Sequence, residues 1–150
     1  MTDSESSPAI EAVRGIVRVS RLIERASAEL SLADYRVLSA IDSGEGRASR
    51  LASRLALGKP TVSATVDSLH RRGLLDRSVV AGDQRASALS LTAEGRAIFE
   101  RAETEMAGRI EDLCGRTPDG RRVMESLAWL GTAMDELMTE RLAAERAALS

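Results

Sequence analysis

Residues 47–95 have the sequence RASRLASRLALGKPTVSATVDSLHRRGLLDRSVVAGDQRASALSLTAEG. Apolar residues recur at helical spacing in its first part and alternate with polar residues near its end. The stretch therefore predicts two short helices around a tight turn, followed by a small hairpin. The rest of the chain is interpreted around this order of elements.

The two short helices are predicted at about 48–56 and 60–72. Gly58 fits a C-terminal cap for the first of them. Pro60 fits the first turn of the second, where its missing N–H costs no hydrogen bond. The second helix has its apolar residues at the i, i+4, i+7 spacing: Val62, Val66 and Leu69.

The hairpin is predicted from strands at 74–80 and 87–91, joined through 81–85, with Gly73 ending the helix before it. Small and apolar residues alternate in the second strand, as in a strand that is buried on one face. The hairpin tip is polar and charged.

This part of the chain is also basic. Residues 47–85 contain eight lysines and arginines and three aspartates, a formal balance of +5. The remainder holds 13 cationic and 20 acidic side chains, a balance of −7, so the overall charge of −2 conceals a segregated pattern. Such segregation indicates a partner that carries phosphates.

Helices are predicted on both sides of this stretch, at about 9–29, 31–41, 93–115 and 117–146. The first has a broad apolar face, which predicts burial on more than one side. Polar residues mark where the other three begin: Ser31 with Asp34 as a capping box, Thr92 as an N-cap, and Thr117 followed by Pro118. Residues 1–8 are predicted to be a disordered tail.

The last two helices carry narrow apolar seams that need another surface to bury against. The N-terminal helix offers one such surface, and a second copy of the chain offers another. The seam of the last helix has a heptad-like spacing and consists of Val123, Leu127, Leu130, Met134 and Leu137.

Composition excludes several classes of protein. Cys114 is the only cysteine, so no disulfide forms within the chain, and with His70 as the only histidine no multi-ligand metal site of these residues is expected. The same scarcity leaves few ways to build a nucleophile with its base, so we predict neither an enzyme nor a cofactor. The acidic N-terminus and the lack of a long apolar run predict a cytoplasmic protein without a membrane partner.

The second short helix has a small, polar outward side. A helix that enters the major groove of DNA needs small or polar residues near its start, so that its backbone can approach the base edges. A solvated amphipathic helix has the same pattern and is the open alternative. The residues predicted to contact DNA from this helix are Lys59, Thr61, Ser63, Ser68 and Arg71.

The hairpin tip holds Asp83 and Arg85 with one residue between them. An arginine at a hairpin tip can reach into a narrow minor groove, and a neighbouring aspartate can hold its guanidinium in one orientation. An ordinary polar turn would use similar residues.

Taken together, these segments resemble the MarR family of winged-helix transcriptional regulators. The resemblance rests on LASRLALGKPTVSATVDSLHRRGLLDR at 51–77, GDQR at 82–85 and LTAEG at 91–95, and it extends to SLADYRVLSAI at 31–41 and the flanking helices. It implies a mainly α-helical winged helix-turn-helix fold with a small β wing. It also implies a homodimer held by 9–30 and 93–146, with 31–92 as the DNA-binding lobe.

The resemblance further implies a sequence-specific DNA-binding regulator, expected to be a repressor that a small ligand releases from a pseudo-palindromic operator. By that match, Thr61 and Ser63 fall at contact positions in the major groove, and Asp83 with Arg85 forms the wing pair. Ala64 stands where members of the family often carry an arginine, which removes one strong guanine contact. A winged-helix dimer that binds another protein instead of DNA is the alternative function.

Ligands of the family often bind between the dimer helices and the DNA-binding lobe. The candidate effector-binding residues here are Arg14, Arg18 and Arg21 on the first helix, with a solvated helix face as the alternative. Cys114 is interpreted as structural, and His70 as a residue at the surface or near a phosphate.

Overall fold

The computed structural model describes residues 7–80 and 83–148. Six helices and one two-stranded antiparallel sheet follow one another in the predicted order. They are α1 (Pro8–Glu24), α2 (Leu32–Asp42), α3 (Ala48–Leu55), α4 (Lys59–Arg71), β1 (Leu75–Val80), β2 (Asp83–Leu91), α5 (Ala93–Cys114) and α6 (Gly120–Ala148).

The predicted capping box opens α2. The Ser31 hydroxyl accepts a hydrogen bond from the Asp34 amide at 3.1 Å, and the Asp34 carboxylate accepts one from the Ser31 amide at 3.0 Å. Two amides that have no partner inside the helix are thereby satisfied. Aspartate can thus take the place of the more usual glutamate in this motif.

The turn between α3 and α4 differs from the sequence prediction. Ala56, and not Gly58, has the left-handed backbone that ends α3, with φ at 51°. Gly58 is instead the N-cap residue of α4, with φ at −62°. The chain turns early because the Leu57 amide donates to the Ala52 carbonyl at 3.1 Å, which places the Leu57 side chain against the core. Pro60 lies in the first turn of α4, as predicted.

One apolar core lies beneath α2, α3, α4, the hairpin and α5. Tyr35 of α2 stacks on Phe99 of α5 with ring centroids 5.5 Å apart, which joins the long helix to this core. The side chains that are almost completely buried are Leu30, Val37, Leu38, Leu51, Leu69, Leu74 and Leu75.

The hairpin is longer than predicted, because β2 begins at Asp83 rather than at Ser87. Residues 83–86 are mostly polar and give no apolar alternation, so the sequence could not mark them as a strand. The register runs from Leu75 opposite Leu91 to Val80 opposite Asp83, with an irregularity between Val79 and Val80. The Leu89 amide donates to the Gly46 carbonyl at 2.7 Å, which fixes β2 against the start of α3.

Thr92 joins the hairpin to α5. Its hydroxyl accepts from the Gly95 amide at 2.9 Å and donates to the Gly73 carbonyl at 2.7 Å. Gly95 packs directly on the chain at Leu74, where an added Cβ would lie 2.0 Å from the carbonyl oxygen. Only glycine therefore permits this close approach.

The start of α6 was predicted wrongly. Thr117 donates its hydroxyl to the Cys114 carbonyl at 2.7 Å and so completes the end of α5. Asp119 is the residue that caps α6, because its carboxylate accepts from the Arg122 amide at 3.1 Å. A threonine followed by proline can serve either the end of one helix or the start of the next, and here the short connection requires the former.

The N-terminal helix also differs from the prediction. Pro8, assigned to a disordered tail, is the first residue of α1, and residues 1–6 of that tail lie outside the described part of the chain. The helix ends at Glu24, not near residue 29, and none of its residues is buried within the chain. The predicted burial of its broad apolar face therefore does not occur inside one chain.

Candidate nucleic-acid interface

Helix α4 presents a polar side to solvent. Val62, Val66 and Leu69 are buried as predicted. Four of the predicted contact residues are exposed, namely Lys59, Thr61, Ser63 and Arg71, and Ser68 is half-buried. Pro60, Ala64 and Asp67 complete the exposed side. The small side chains at its start leave the helix backbone accessible.

The first turn of α4 has no side-chain cap. Gly58 precedes the helix and offers no hydroxyl or carboxylate to its first amides. These amides keep a partial positive charge that an acceptor from outside the chain can satisfy. Lys59 and Thr61 stand beside them, so this end of the helix suits an anion such as phosphate.

An ion pair between Asp67 of α4 and Arg77 of β1 links the helix to the hairpin. Sequence reasoning assigned no role to Arg77, which lies ten residues after its partner. The one available signal was that Asp67 is the single acidic residue of an otherwise cationic helix. Ser63, Asp67 and Arg77 line a cleft of about 390 Å³ between α3, α4 and β1.

His70 makes a second link between α4 and the hairpin. Its Nδ1 lies 2.7 Å from the Leu75 carbonyl oxygen. A carbonyl only accepts, so Nδ1 carries the proton and donates it. The position is exposed, as expected, and the ring helps to hold the end of α4 on β1.

The predicted wing pair is only partly visible. The backbone of Asp83 and Arg85 lies in the first part of β2. Their side chains, together with Ala81 and Gly82, lie outside the described residues. The pairing of Asp83 with Arg85 therefore stays a prediction.

Many cations of α3 and α4 have no acidic partner in the described part of the chain. The arginines of the surrounding elements are more often neutralised, as Arg72 is by Asp34 at 3.2 Å and Arg96 is by Asp42 at 2.6 Å. Positive charge in the helix pair thus remains available to an external anion. The cationic side chains of residues 47–71 that form no ion pair with a described residue are Arg47, Arg50, Arg54, Lys59 and Arg71.

A cavity of about 440 Å³ lies between α2, α3 and α6. Arg36 and Arg54 contribute guanidinium groups, Glu45 and Asp135 contribute carboxylates, and Ala40, Leu55 and Leu142 contribute apolar surface. The cavity therefore offers charged groups of both signs beside an apolar surface.

Tyr35 also lines this cavity, with its hydroxyl donating to the Glu103 carboxylate at 3.0 Å. Burial and that hydrogen bond together raise the pKa of Tyr35 to about 12. The hydroxyl consequently stays protonated and is held toward α5.

The predicted effector residues on α1 lie elsewhere. Arg14, Arg18 and Arg21 do not line the cavity between α2, α3 and α6. Arg14 pairs with Glu11 at 3.0 Å, and the Arg18 guanidinium donates to the Arg14 carbonyl at 3.3 Å. Within one chain they form part of an exposed helix face.

An apolar surface runs along α1 and α6. Trp129 and Val13 are 66% and 60% exposed. An exposed apolar surface that extends over two helices is unusual for a monomeric protein. The start of α6 adjoins α1, where the two helices line a depression of about 590 Å³. The other exposed members are Ile10, Ile16, Val17, Leu22, Val123, Leu127, Leu130, Met134 and Leu137.

Comparison with known proteins identifies a family that this sequence and fold resemble. A family model described as MarR family matches residues 28–86, which include α2, α3, α4 and most of the hairpin. The transcriptional repressor CouR, solved bound to a 23-mer DNA duplex, is 28% identical with a TM-score of 0.74, and the match covers 89% of this chain and 97% of that one.

The chain resembles the MarR family.

Two further MarR-like structures resemble the whole chain. PcaV from Streptomyces coelicolor, solved with its natural ligand, is 27% identical with a TM-score of 0.65, over 89% of this chain and 96% of that one. The regulator MOSR from M. tuberculosis, solved with DNA, is 24% identical with a TM-score of 0.61, over 88% and 98%. The latter similarity establishes the shared fold alone.

The fold of this chain is that of the winged-helix transcriptional regulators. Helices α3 and α4 are its helix-turn-helix, and β1 with β2 is its wing. Among residues 7–80 and 83–148, no helix is long and apolar enough to span a membrane, and no cluster of three or more histidine, cysteine or acidic residues could hold a metal ion.

Proposed function

We propose that this chain is a MarR-family regulator, a homodimer that binds a specific DNA sequence, represses transcription there and is released by a small ligand. The observation that carries the proposal is the exposed polar side of α4, which stands next to the wing and among cations without acidic partners.

In the proposed complex, α4 enters the major groove and the wing reaches the adjacent minor groove. Thr61 and Ser63 contact base edges, because small hydroxyl side chains leave room for the backbone to approach. Lys59, Ser68 and Arg71 contact the phosphates that flank the groove. At the wing, Arg85 enters the minor groove and Asp83 orients its guanidinium.

The dimer is supported by the apolar surface of α1 and α6. An exposed Trp129, Leu130 and Met134 on one helix would be unfavourable in a monomer, and a second copy can cover them. We assign 9–30 and 93–146 to this dimer region and 31–92 to the DNA-binding lobe. Two copies related by a two-fold axis would present two α4 helices to a pseudo-palindromic operator.

The ligand is proposed to bind in the cavity between α2, α3 and α6. Its walls come both from the lobe that holds α4 and from the long helix of the dimer region, so an occupant could change their relative position. Arg36 and Arg54 would bind an anionic group. Arg14, Arg18 and Arg21 could contribute from the partner's α1 if the dimer brings that helix to the cavity. PcaV, solved with its natural ligand, supports a ligand-binding role in principle.

The test is a gel-shift titration of the protein against DNA from its own upstream region. A DNA-binding regulator should shift one fragment, and its affinity should fall by several orders of magnitude between about 50 mM and 200 mM salt if six or more phosphates are contacted. Arg71→Ala should reduce the salt dependence by roughly one phosphate contact. Arg121→Ala, at an exposed position near the start of α6, is the matched control.

Three other results would contradict parts of this proposal. A protein that shifts no genomic fragment even at low salt would instead be the interaction module considered above. A protein that binds its site but raises transcription from the adjacent promoter in a purified system would be an activator. Addition of a ligand that leaves the protein on its site would contradict the proposed release.

A further inference from the structure

Asp67 is an unusual residue for its position. It is the single acidic residue of α4 and lies on the exposed side, one helical turn after Ser63 and one before Arg71. In the proposed complex this side faces DNA, where a free carboxylate would be repelled by the phosphates. A carboxylate there needs both a counter-charge and a partner.

Arg77 supplies the counter-charge. Its guanidinium donates to Oδ1 of Asp67, so the pair is close to neutral and the carboxylate is held in one orientation. The other oxygen, Oδ2, has no hydrogen-bond partner among the described residues, and the Asp67 side chain remains 54% exposed. One acceptor is therefore fixed in place and still available.

The surroundings of Asp67 allow that acceptor to reach a base. Ser63 and Ala64, the residues one turn earlier, are small and exposed, so they do not hold the helix away from the groove floor. In the major groove, the N4 amino group of cytosine is a donor that matches a carboxylate acceptor.

We infer that Asp67 determines specificity by accepting a hydrogen bond from the amino group of one cytosine in each half-site, and that Arg77 is its positioning residue. The inference rests on the proposed function, because it requires α4 in the major groove. It assigns a base preference to a helix whose position 64 carries alanine and cannot supply a guanine contact.

The first experiment measures affinity for a set of operators in which every base pair of the half-site is varied. The wild-type protein should prefer cytosine at one position by about tenfold, which corresponds to the low to middle part of the range for a base contact. Asp67→Asn should transfer the preference at that position to adenine, because asparagine pairs with the adenine edge. Equal weakening on all operators, with the cytosine preference retained, would overturn the inference.

A second measurement needs no variant and so does not depend on folding. Replacing the preferred cytosine by 2-pyrimidinone removes only the N4 amino group, and it should lower wild-type affinity about as much as changing the base. Full affinity for this analogue would show that no acceptor uses the amino group, and would reject the role of Asp67.

The positioning role of Arg77 is tested by two substitutions. Arg77→Gln should reduce the cytosine preference several-fold, and Arg77→Lys, which keeps the charge, should restore part of it. If both variants weaken all operators equally, Arg77 is only structural. Should the wild-type protein bind no DNA at all, the proposed function fails; should it bind without using cytosine N4, only the present inference fails.

Discussion

At the scale of single residues, the side chains on the exposed side of α4 and the contact of α4 with β1 form the proposed DNA interface. Thr61 and Ser63 could be placed on the exposed side of α4 because three apolar residues define the opposite side. Nothing local indicated that Asp67 would pair with Arg77, since this contact depends on how α4 lies against β1. The wing pair stays a prediction that only a functional measurement addresses.

Replacing Arg85 with alanine should weaken DNA binding by about 1–3 kcal/mol, because the variant loses a guanidinium in the minor groove. The affinity is measured by fluorescence anisotropy on the selected operator, with sedimentation to verify that dimerisation is unchanged. Gln84→Ala, at the neighbouring position, is the control and should have a small effect. Unchanged affinity in the Arg85 variant would exclude the wing contact.

Tyr35 predicts a pH dependence of stability. Its folded-state pKa of about 12 lies above the ordinary value of 10.0, so its protonated hydroxyl contributes stability that is present below about pH 10 and is lost as the pH rises toward 12. Because Tyr35 is the only tyrosine, its titration can be followed by absorbance without overlap from another phenol. Denaturant unfolding should show this decline, and Tyr35→Phe should remove its Tyr35 component. A Tyr35 titration near 10 would contradict the described hydrogen bond.

At the scale of elements, the periodicity of apolar residues and the helix-capping residues determined most of the secondary structure. The capping box of α2, the proline in α4 and Thr92 before α5 are local signals, and each was predicted correctly. The errors at Gly58 and Thr117 arose where two elements share a short connection. In both places, the contacts that the following residues make determine how the first helix ends.

Gly95→Ala should destabilise the junction between the wing and α5. The added methyl would meet the Leu74 carbonyl, so we expect the free energy of unfolding to fall by about 1–3 kcal/mol, as for overpacked sites. Thermal unfolding followed by circular dichroism measures the change. Gly108→Ala, in the same helix but facing open space, should instead stabilise by about 0.5–1 kcal/mol. Equal effects of the two substitutions would contradict the close approach at Gly95.

At the scale of the whole molecule, polar pairs connect the lobe with the long helices. Arg101 of α5 donates two hydrogen bonds of 3.1 Å to Glu29, and these bonds lower the pKa of that carboxyl. Arg72, at the end of α4, donates to the Glu29 carbonyl and to Asp34. Helices α4 and α5 therefore contact the same connection between α1 and α2, although each exposed pair is individually weak.

Leu130→Asp should disrupt the proposed dimer. It places a charge in the centre of the apolar surface on α6, where burial without a partner costs several kcal/mol. Sedimentation velocity should show monomers or loss of the folded protein, with DNA affinity reduced in parallel. Thr132→Asp, on another side of the same helix, should leave the dimer intact. A folded dimer of the Leu130 variant would contradict the proposed interface.

The sequence by itself determined the element order, the buried side of α4 and the family resemblance, because these depend on spacing along a few turns of chain. The tertiary structure decided that Ala56 ends α3, that the Thr117 hydroxyl bonds to the end of α5, and that Asp67 pairs with Arg77. It also showed that no residue of α1 is fully buried within its own chain. The physical reason is range: periodicity and capping act over about four residues, whereas ion pairs and close packing depend on elements that only the folded core brings together.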